Sequence, residues 1–410
     1  MPKILSILRH RQIFLLWFGR LLSAFGDRFF DVAVVWLSVQ IVGSEAGFIL
    51  AAGSISNFLA GLIGGVLADR WDRQKLMIGI DIIRATSILT LPLAAILGEI
   101  TLLHLAIAAA IEGAMGSLFD PALQASLPQL ISDQGELQAG NALLDVTMRI
   151  SQIFAPGLAG FLIASIPAQH LFTIDAATFI ISGLSLFAIG RGFNWRPKPA
   201  TETNDGMTGV FQEIQGAIKL VNQHKPMLWA IVTYIPINVA WSASLMVGLA
   251  LLAEGPLELG AEGYGLLFTA YGVGSVLSNI VVGSLTVNRR ELLLFAGQVV
   301  LGCGIILIGF SSSFWLAALG ALVAALGTPM SDLMMLFMIQ SDFPENQVGK
   351  VFSLRFTISN IGYSAGLLLA AVLFQWLGIR PGLIFFGALS LLTGTVGFSR
   401  FSFDSLKSDS

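Results

Sequence analysis

The sequence predicts an all-α membrane protein, with twelve transmembrane helices in two pseudo-symmetric six-helix bundles. Three observations carry this. Of 410 residues, 55% are hydrophobic and only 11% charged, against about 25% charged in an average soluble domain; the mean hydropathy is +0.81. The apolar residues lie in continuous runs of about 20, not in alternation, so helices fit and barrel strands do not. A bilayer admits only those two solutions. A polar stretch near the middle of the chain separates six runs from six more, and parts of one set echo the other.

The spans fall at residues 13–42, 47–67, 76–97, 102–119, 139–166 and 171–189, then 227–252, 264–285, 292–310, 314–339, 351–377 and 382–398. The first run follows a short basic start. It has no small-residue cleavage site and is too long for a signal peptide, so it is expected to stay as a helix. Residues 191–225 form the linker, with an N-terminal bundle at 1–190 and a C-terminal bundle at 226–410. Within the linker, Val210, Phe211, Ile214, Ala217, Ile218 and Val221 repeat at helical spacing, the pattern of a helix lying along the membrane interface. Pro121 is expected to end the fourth span, and Pro329 to interrupt the tenth. The single Cys303 excludes an intramolecular disulfide framework. A net charge of −3 suggests no nucleic-acid partner. The expected surroundings are lipid, and a monomer is expected.

Lys and Arg fix the orientation. Lys3, Arg9, Arg11, Arg70, Arg73, Lys75, Arg191, Arg196, Lys198, Lys219, Lys225, Arg289, Arg290, Lys350, Arg400 and Lys407 share one side. The other side holds Arg380 with acids such as Glu45, Glu99, Glu254 and Glu258. Both termini are therefore expected on the cytoplasmic side.

The connection between the second and third spans reads Gly64-Gly-Val-Leu-Ala-Asp-Arg-Trp-Asp-Arg-Gln-Lys75. Gly64 and Gly65 allow another helix backbone to approach closely. Asp69 sits at the membrane edge, where an unpaired carboxylate is costly, and Arg70, Arg73 and Lys75 are donors for it or for neighbouring acids. Asp120, at the end of the fourth span, is placed to pair with Arg73. A related pattern, Gly283-Ser-Leu-Thr-Val-Asn-Arg-Arg290, closes the eighth span with Val287 in place of the acid.

The first span carries Arg20, Asp27, Arg28 and Asp31. Asp27 and Asp31 are four apart on one face, Arg20 lies seven before Asp27 on the same stripe, and Arg28 can reach Asp31. Asp27 is near mid-bilayer, where each charge opposes insertion by about 2.5–3.5 kcal/mol. Such residues face a cavity or a partner. Two readings stand: ion pairs that hold the bundle, or groups that bind a proton, cation or substrate. Glu112, midway along the fourth span, is either a proton carrier or the partner of Arg28 or Arg84. Asp81 with Arg84, and Asp145 with Arg149, read as satisfied pairs. In the fifth span, Pro156 removes a backbone hydrogen bond, and Gly157 and Gly160 permit close packing.

The second half has fewer charges. Asn238, Trp241, Tyr271 and Met334 are candidates for a substrate surface. Methionine suits varied apolar ligands, although core packing is the plainer role for any one of them. Arg355 is placed to answer Asp332 or the C-terminus of the tenth span. His10, His104, His170 and His224 are scattered at span ends, with no catalytic set, metal-ligand cluster or phosphate loop. No cofactor and no enzymatic activity are expected.

The Gly-x-x-x-Asp-Arg-x-x-Arg-x-Lys spacing ending at Lys75 resembles the loop between helices 2 and 3 of the major facilitator superfamily, with Asp72 where that pattern more often has Gly. Residues 67–81, Phe119-Asp-Pro-Ala-Leu-Gln-Ala-Ser-Leu-Pro and Val348-Gly-Lys-Val-Phe-Ser-Leu are similar to the bacterial macrolide-efflux and enterobactin-exporter group. Ala155-Pro-Gly-Leu-Ala-Gly160 resembles incompletely a Gly-Pro-x-x-Gly-Gly pattern of proton-antiporting exporters, and Glu112 stands where many drug exporters have Arg. The resemblance implies substrate binding between two six-helix halves and efflux of an amphipathic small molecule in exchange for protons. Asp27, Asp31 and Glu112 are the implied coupling acids, with Arg28 and Arg84 beside them. Gly65, Asp69, Arg70, Arg73, Lys75 and Asp120 form the implied cytoplasmic gate. An uncoupled facilitator or importer, or a membrane sensor that transports nothing, remains an alternative.

Overall fold

The structure is a computed structural model that describes residues 7–98, 100–131, 133–190, 207–285, 287 and 289–408. Within these, the side chains of 63, 65–70, 207–214, 345, 346 and 402–408 are not described. Six helices precede the linker: α1 (Arg11–Val42), α2 (Ala46–Arg70), α3 (Arg73–Leu97), α4 (Leu102–Leu130), α5 (Gln134–Ser165) and α6 (Gln169–Ile189). The linker contributes α7 (Met207–Gln223). Then follow α8 (Lys225–Glu254), α9 (Gly260–Ser284), α10 (Arg290–Gly309), α11 (Phe314–Asp342), α12 (Glu345–Leu377) and α13 (Ile379–Ser408). Residues Arg11–Leu62 make one apolar run of 52 residues. It holds two helices, because the chain breaks at Gly43–Glu45, where Gly43 has a φ of +57°, a conformation glycine takes without steric cost. Counting apolar runs among the described residues gives eleven spans; counting α1 and α2 separately gives twelve.

Short polar side chains start the helices. Asp72 accepts from the Lys75 N–H at 3.1 Å, Thr101 from His104 at 3.3 Å and Asp133 from Glu136 at 2.8 Å, each satisfying an N–H the first turn leaves unpaired. The acid at position 72, where glycine was the commoner choice, is thus the N-cap of α3.

Two proline expectations are corrected. α4 continues through Pro121 and Pro128 to Leu130, and α11 runs unbroken through Pro329. Proline removes one hydrogen bond without forcing the helix to stop when neighbouring groups absorb the change. In α4, Pro121 leaves the Ser117 carbonyl without its helical donor. That oxygen lies against Gly64, 2.9 Å from where a Cβ would sit. Beyond the proline, Ala122, Leu123 and Leu127 are buried, and this apolar face keeps the helix formed.

The chain divides into two compact units: Met1–Ile41 with Ala52–Thr203, and Val42–Ala51 with Asn204–Ser410. The core of unit 1 gathers Met77, Ile80, Phe119, Leu123, Leu127 and Leu186. Its α2 and α4 meet along small residues: a Cβ on Gly113 would lie 2.2 Å from the Gly53 carbonyl oxygen, and Asn57 donates to the Gly113 carbonyl at 3.1 Å. The core of unit 2 gathers Met227, Phe295, Met334, Met335, Met338 and Leu354. There α10 and α11 touch backbone to backbone, with a Cβ on Gly327 only 2.3 Å from the Gly297 oxygen, the close approach that small residues permit between membrane helices. In the linker helix, Ala217 and Val221 join this core while Ile218 is exposed. Val210, Phe211 and Ile214 lie outside the described side chains. Isoleucines, leucines and phenylalanines exposed on the spans, such as Ile96, Phe187 and Leu392, have lipid as their natural solvent.

Candidate functional site

Unit 1 builds a ladder of charges across three helices. α1 supplies Arg20 and Asp27, α3 supplies Arg84, and α4 supplies Glu112 and Asp120. Arg20 and Asp27 are seven residues apart, two turns on one face. Arg20 donates through Nη2 to Asp120 Oδ1 at 3.1 Å and through Nη1 to Asp27 Oδ2 at 3.4 Å. Arg84 Nη2 reaches Asp27 Oδ1 at 2.7 Å and also contacts Glu112 Oε1. The order is therefore Asp120, Arg20, Asp27, Arg84, Glu112. Arg20, Arg84 and Glu112 are buried, Asp27 is partly so, and Asp120, with 55% of its side chain exposed, is the open end. Aromatic faces hold both guanidiniums: Arg84 lies 4.0 Å from the centre of the Phe179 ring and Arg20 5.7 Å from that of Phe119. Three carboxylates share two cations, and among the described residues Glu112 Oε2 has no hydrogen-bond partner.

Of the two partners considered for Glu112, the structure selects Arg84. Arg28 instead donates to Asp31 at 2.7 Å on an exposed face of α1. Asp120 was expected to meet Arg73 and is found on Arg20, whereas Arg73 donates to the Ala125 carbonyl at 2.6 Å. Asp81 was expected to satisfy Arg84, but the ion pairs of Arg84 go to Asp27 and Glu112, and Asp81 is buried on α3 beside Gly183 of α6. Asp145 and Arg149 do pair, at 2.7 Å. Gly65, Asp69 and Arg70 lie outside the described side chains; Lys75 is in the first turn of α3. Pro156 and Gly160 are buried, with Gly157 partly so, inside an unbroken α5.

Asp175 escaped the sequence reading. It is fully buried on α6, where Thr178 Oγ1 donates to its Oδ1 at 3.3 Å. Its carboxylate fits only because residue 26 is glycine: a Cβ there would sit 2.2 Å from Asp175 Oδ1. The signal was present, a lone acid in the middle of an apolar span, the same signal that marked Asp27.

Unit 2 has a second polar cluster. Tyr234 donates its hydroxyl to Asp332 Oδ1, and Arg355 Nη2 donates to the same oxygen at 3.2 Å and to the Tyr234 hydroxyl at 2.9 Å. Asn238 accepts from Ser359 at 3.0 Å. Trp241 Nε1 donates to the Tyr271 hydroxyl at 2.5 Å, and that hydroxyl lies 2.8 Å from Thr328 Oγ1. Gly362 and Gly366 bring α12 onto α8: a Cβ on Gly366 would lie 2.5 Å from the Val239 carbonyl oxygen. Directly after Trp241, Ser242–Gly248 form a π-helical turn, a wide turn often found at functional sites. Asn238 and Trp241 are half-buried and Tyr271 is buried among these partners. Met334 is fully buried in the unit 2 core and presents no open surface.

Twelve apolar helices, with charges buried inside the spans, define a multi-pass membrane transporter of the major facilitator fold. More narrowly, a family model described as transmembrane secretion effector matches residues 3–410, and the chain belongs to that family. It is similar to macrolide efflux protein A of Streptococcus pyogenes, with 22% identity over 94% of this chain and 95% of that protein. It is similar to the multidrug efflux pump Tap of Mycolicibacterium fortuitum, with 23% identity over 94% of each. The enterobactin exporter EntS of Salmonella typhi is 26% identical over 74% of this chain and 70% of its own. Among solved structures, a bacterial homologue of the iron transporter ferroportin in an inward-facing state aligns with a TM-score of 0.72 at 19% identity, over 96% of this chain and 98% of that one. A POT family transporter in complex with 5-aminolevulinic acid aligns with a TM-score of 0.73 at 12% identity, over 94% and 95%. These likenesses show the fold. The family and its relatives are transporters, not enzymes.

Proposed function

We propose that this efflux transporter works by alternating access, exporting an amphipathic small molecule in exchange for protons across a bacterial inner membrane, with both termini cytoplasmic. The observation that carries the reading is Arg84 shared between Asp27 and Glu112 inside apolar spans. A buried cation that loses its only partner is strongly destabilised. Arg84 avoids that state: a proton arriving at Glu112 releases one contact while Asp27 keeps the guanidinium. Asp31, paired with Arg28 on an exposed face, is the acid best placed to meet water. Arg73, Lys75 and Asp120, with Gly65, Asp69 and Arg70, are proposed as the gate on the cytoplasmic side, and Pro156, Gly157 and Gly160 as the antiporter-like packing element of α5.

The test uses proteoliposomes and erythromycin, a macrolide chosen from the chemistry of one relative. Glu112→Gln or Asp31→Asn is expected to abolish accumulation driven by a pH gradient while downhill exchange stays measurable. Full gradient-driven transport in both variants makes these acids structural and moves coupling elsewhere.

A further inference from the structure

The polar cluster of unit 2 has two chemically different ends. On α8, Tyr234, Asn238 and Trp241 lie at spacings of four and three, one face of the helix. Arg355, Ser359 and Tyr363 repeat at four on α12, and Thr328 and Asp332 do so on α11. The hydrogen bonds described above join these faces. One end is ionic, at Asp332 and Arg355. The other is aromatic: Trp241 packs 6.1 Å from Tyr271 and 5.9 Å from Tyr363 between ring centres. At a rise of 1.5 Å per residue, the seven residues from Tyr234 to Trp241 separate the ends by about 10 Å.

The ionic end offers a ligand an acceptor. Asp332 Oδ1 is held by two donors, Tyr234 and Arg355, so the carboxylate is fixed in place. Among the described residues its other oxygen, Oδ2, accepts no hydrogen bond, and 40% of the side chain is exposed. Arg355 is more enclosed, at 19%. Its Nη2 is spent on Tyr234 and Asp332, its Nε is buried, and its guanidinium lies over the Tyr234 and Phe352 rings at 5.3 and 5.9 Å. Arg355 neutralises Asp332 through Oδ1 and, among the described residues, leaves Oδ2 without a hydrogen bond. A locked carboxylate with one open oxygen, about 10 Å from half-buried aromatic faces, suits a molecule with a flat apolar body and an alkylammonium arm.

We propose that this face of unit 2 is a substrate site for amine-bearing aromatic amphiphiles, with the ammonium on Asp332 Oδ2 and the ring system against Trp241 and Tyr363. It rests on the exporter reading and gives that reading a substrate class. The test is equilibrium binding to the purified full chain in detergent, with no gradient present. The probe is quinacrine, an acridine carrying a diethylaminoalkyl arm, followed by its fluorescence. Two analogues end the same arm in a hydroxyl or in a carboxylate. Losing a charge-assisted hydrogen bond is expected to weaken quinacrine binding roughly 10- to 100-fold in Asp332→Asn, with the hydroxyl analogue little changed. Trp241→Ala is expected to weaken both. Tyr234→Phe removes one anchor of the carboxylate, and is expected to weaken quinacrine alone by a smaller factor; it serves if Asp332→Asn does not fold. Unchanged quinacrine affinity in a folded Asp332→Asn protein overturns the proposal, as does tightest wild-type binding of the carboxylate analogue. If Glu112→Gln transports normally on a pH gradient while these binding results hold, the coupling reading fails and this site stands.

Discussion

In unit 1 two guanidiniums are buried within the spans, and each bridges two carboxylates. In unit 2 the ion pair Asp332–Arg355 stands half open, backed by a tyrosine, and methionines fill much of the core. The difference separates two uses of charge. A buried, shared cation resists losing all its partners but tolerates an exchange among them, which suits a group whose protonation changes. A fixed carboxylate with an open oxygen has nothing to exchange and a surface to offer, which suits contact with a ligand. On the proposed reading, coupling and recognition fall in different units, and the comparison can be broken by substitution.

The largest effect is expected at Arg84. Arg84→Met leaves Glu112 without its cation and Asp27 with Arg20 alone, and is expected to lower stability by about 3–5 kcal/mol. Arg355→Met leaves Asp332 with Tyr234 and access to solvent, and is expected to cost less, about 1–3 kcal/mol. Unfolding of both variants in one detergent checks this; equal losses remove the distinction between the units.

A second contrast concerns glycine. A Cβ on Gly327 meets the Gly297 oxygen at 2.3 Å and the Leu301 nitrogen at 2.5 Å, both backbone atoms. On Gly26 it meets Asp175 Oδ1 at 2.2 Å and Thr178 Oγ1 at 2.3 Å, both side-chain atoms. Either glycine-to-alanine change is expected to cost about 1–3 kcal/mol by overpacking. The Gly26→Ala cost should largely vanish in a background carrying Asp175→Ala and Thr178→Ala, measured as a mutant cycle. No side-chain truncation can relieve Gly327→Ala. Persistence of the Gly26 cost in that background would show that α1 and α6 are held by something other than the buried acid.

Much of this was legible in the sequence, for physical reasons that differ by feature. Apolar runs revealed the spans because lipid demands them, and Arg20 with Asp27 was readable because both lie on one helix at a known spacing. Arg84 with Asp27 and Glu112 was less so, since the contact joins α1, α3 and α4 and depends on packing. Local reasoning assigned Arg84 to Asp81, three residues away, and tertiary packing prevailed. Pro121 was read by its effect on an isolated helix, whereas the buried face beyond it and the glycine opposite it let α4 continue. Arg355 was read as an answer to Asp332, and is found there, but the carboxylate's second donor, Tyr234, could not be seen, because it is 98 positions distant in sequence.

The smallest expected effect on stability lies with the exposed charges of unit 1, and it sharpens what exposure means there. Asp145 and Arg149 pair on α5 with more than half of each side chain open, and on the same helix Phe161 is also exposed. In a membrane these two exposures cannot mean the same thing. A phenylalanine is at home in lipid, whereas an open ion pair within a span requires water. Truncating one partner of a hydrated pair is expected to change stability by about 1 kcal/mol or less, so Asp145→Cys should fold. In a Cys303→Ser background, which removes the chain's one native thiol, Asp145→Cys is expected to react with a membrane-impermeant charged thiol reagent in at least one conformation. Phe161→Cys is expected to resist it, because a thiol facing hydrocarbon forms little thiolate. Equal labelling of the two, or none at Asp145→Cys, would mean that α5 turns its charged face away from water.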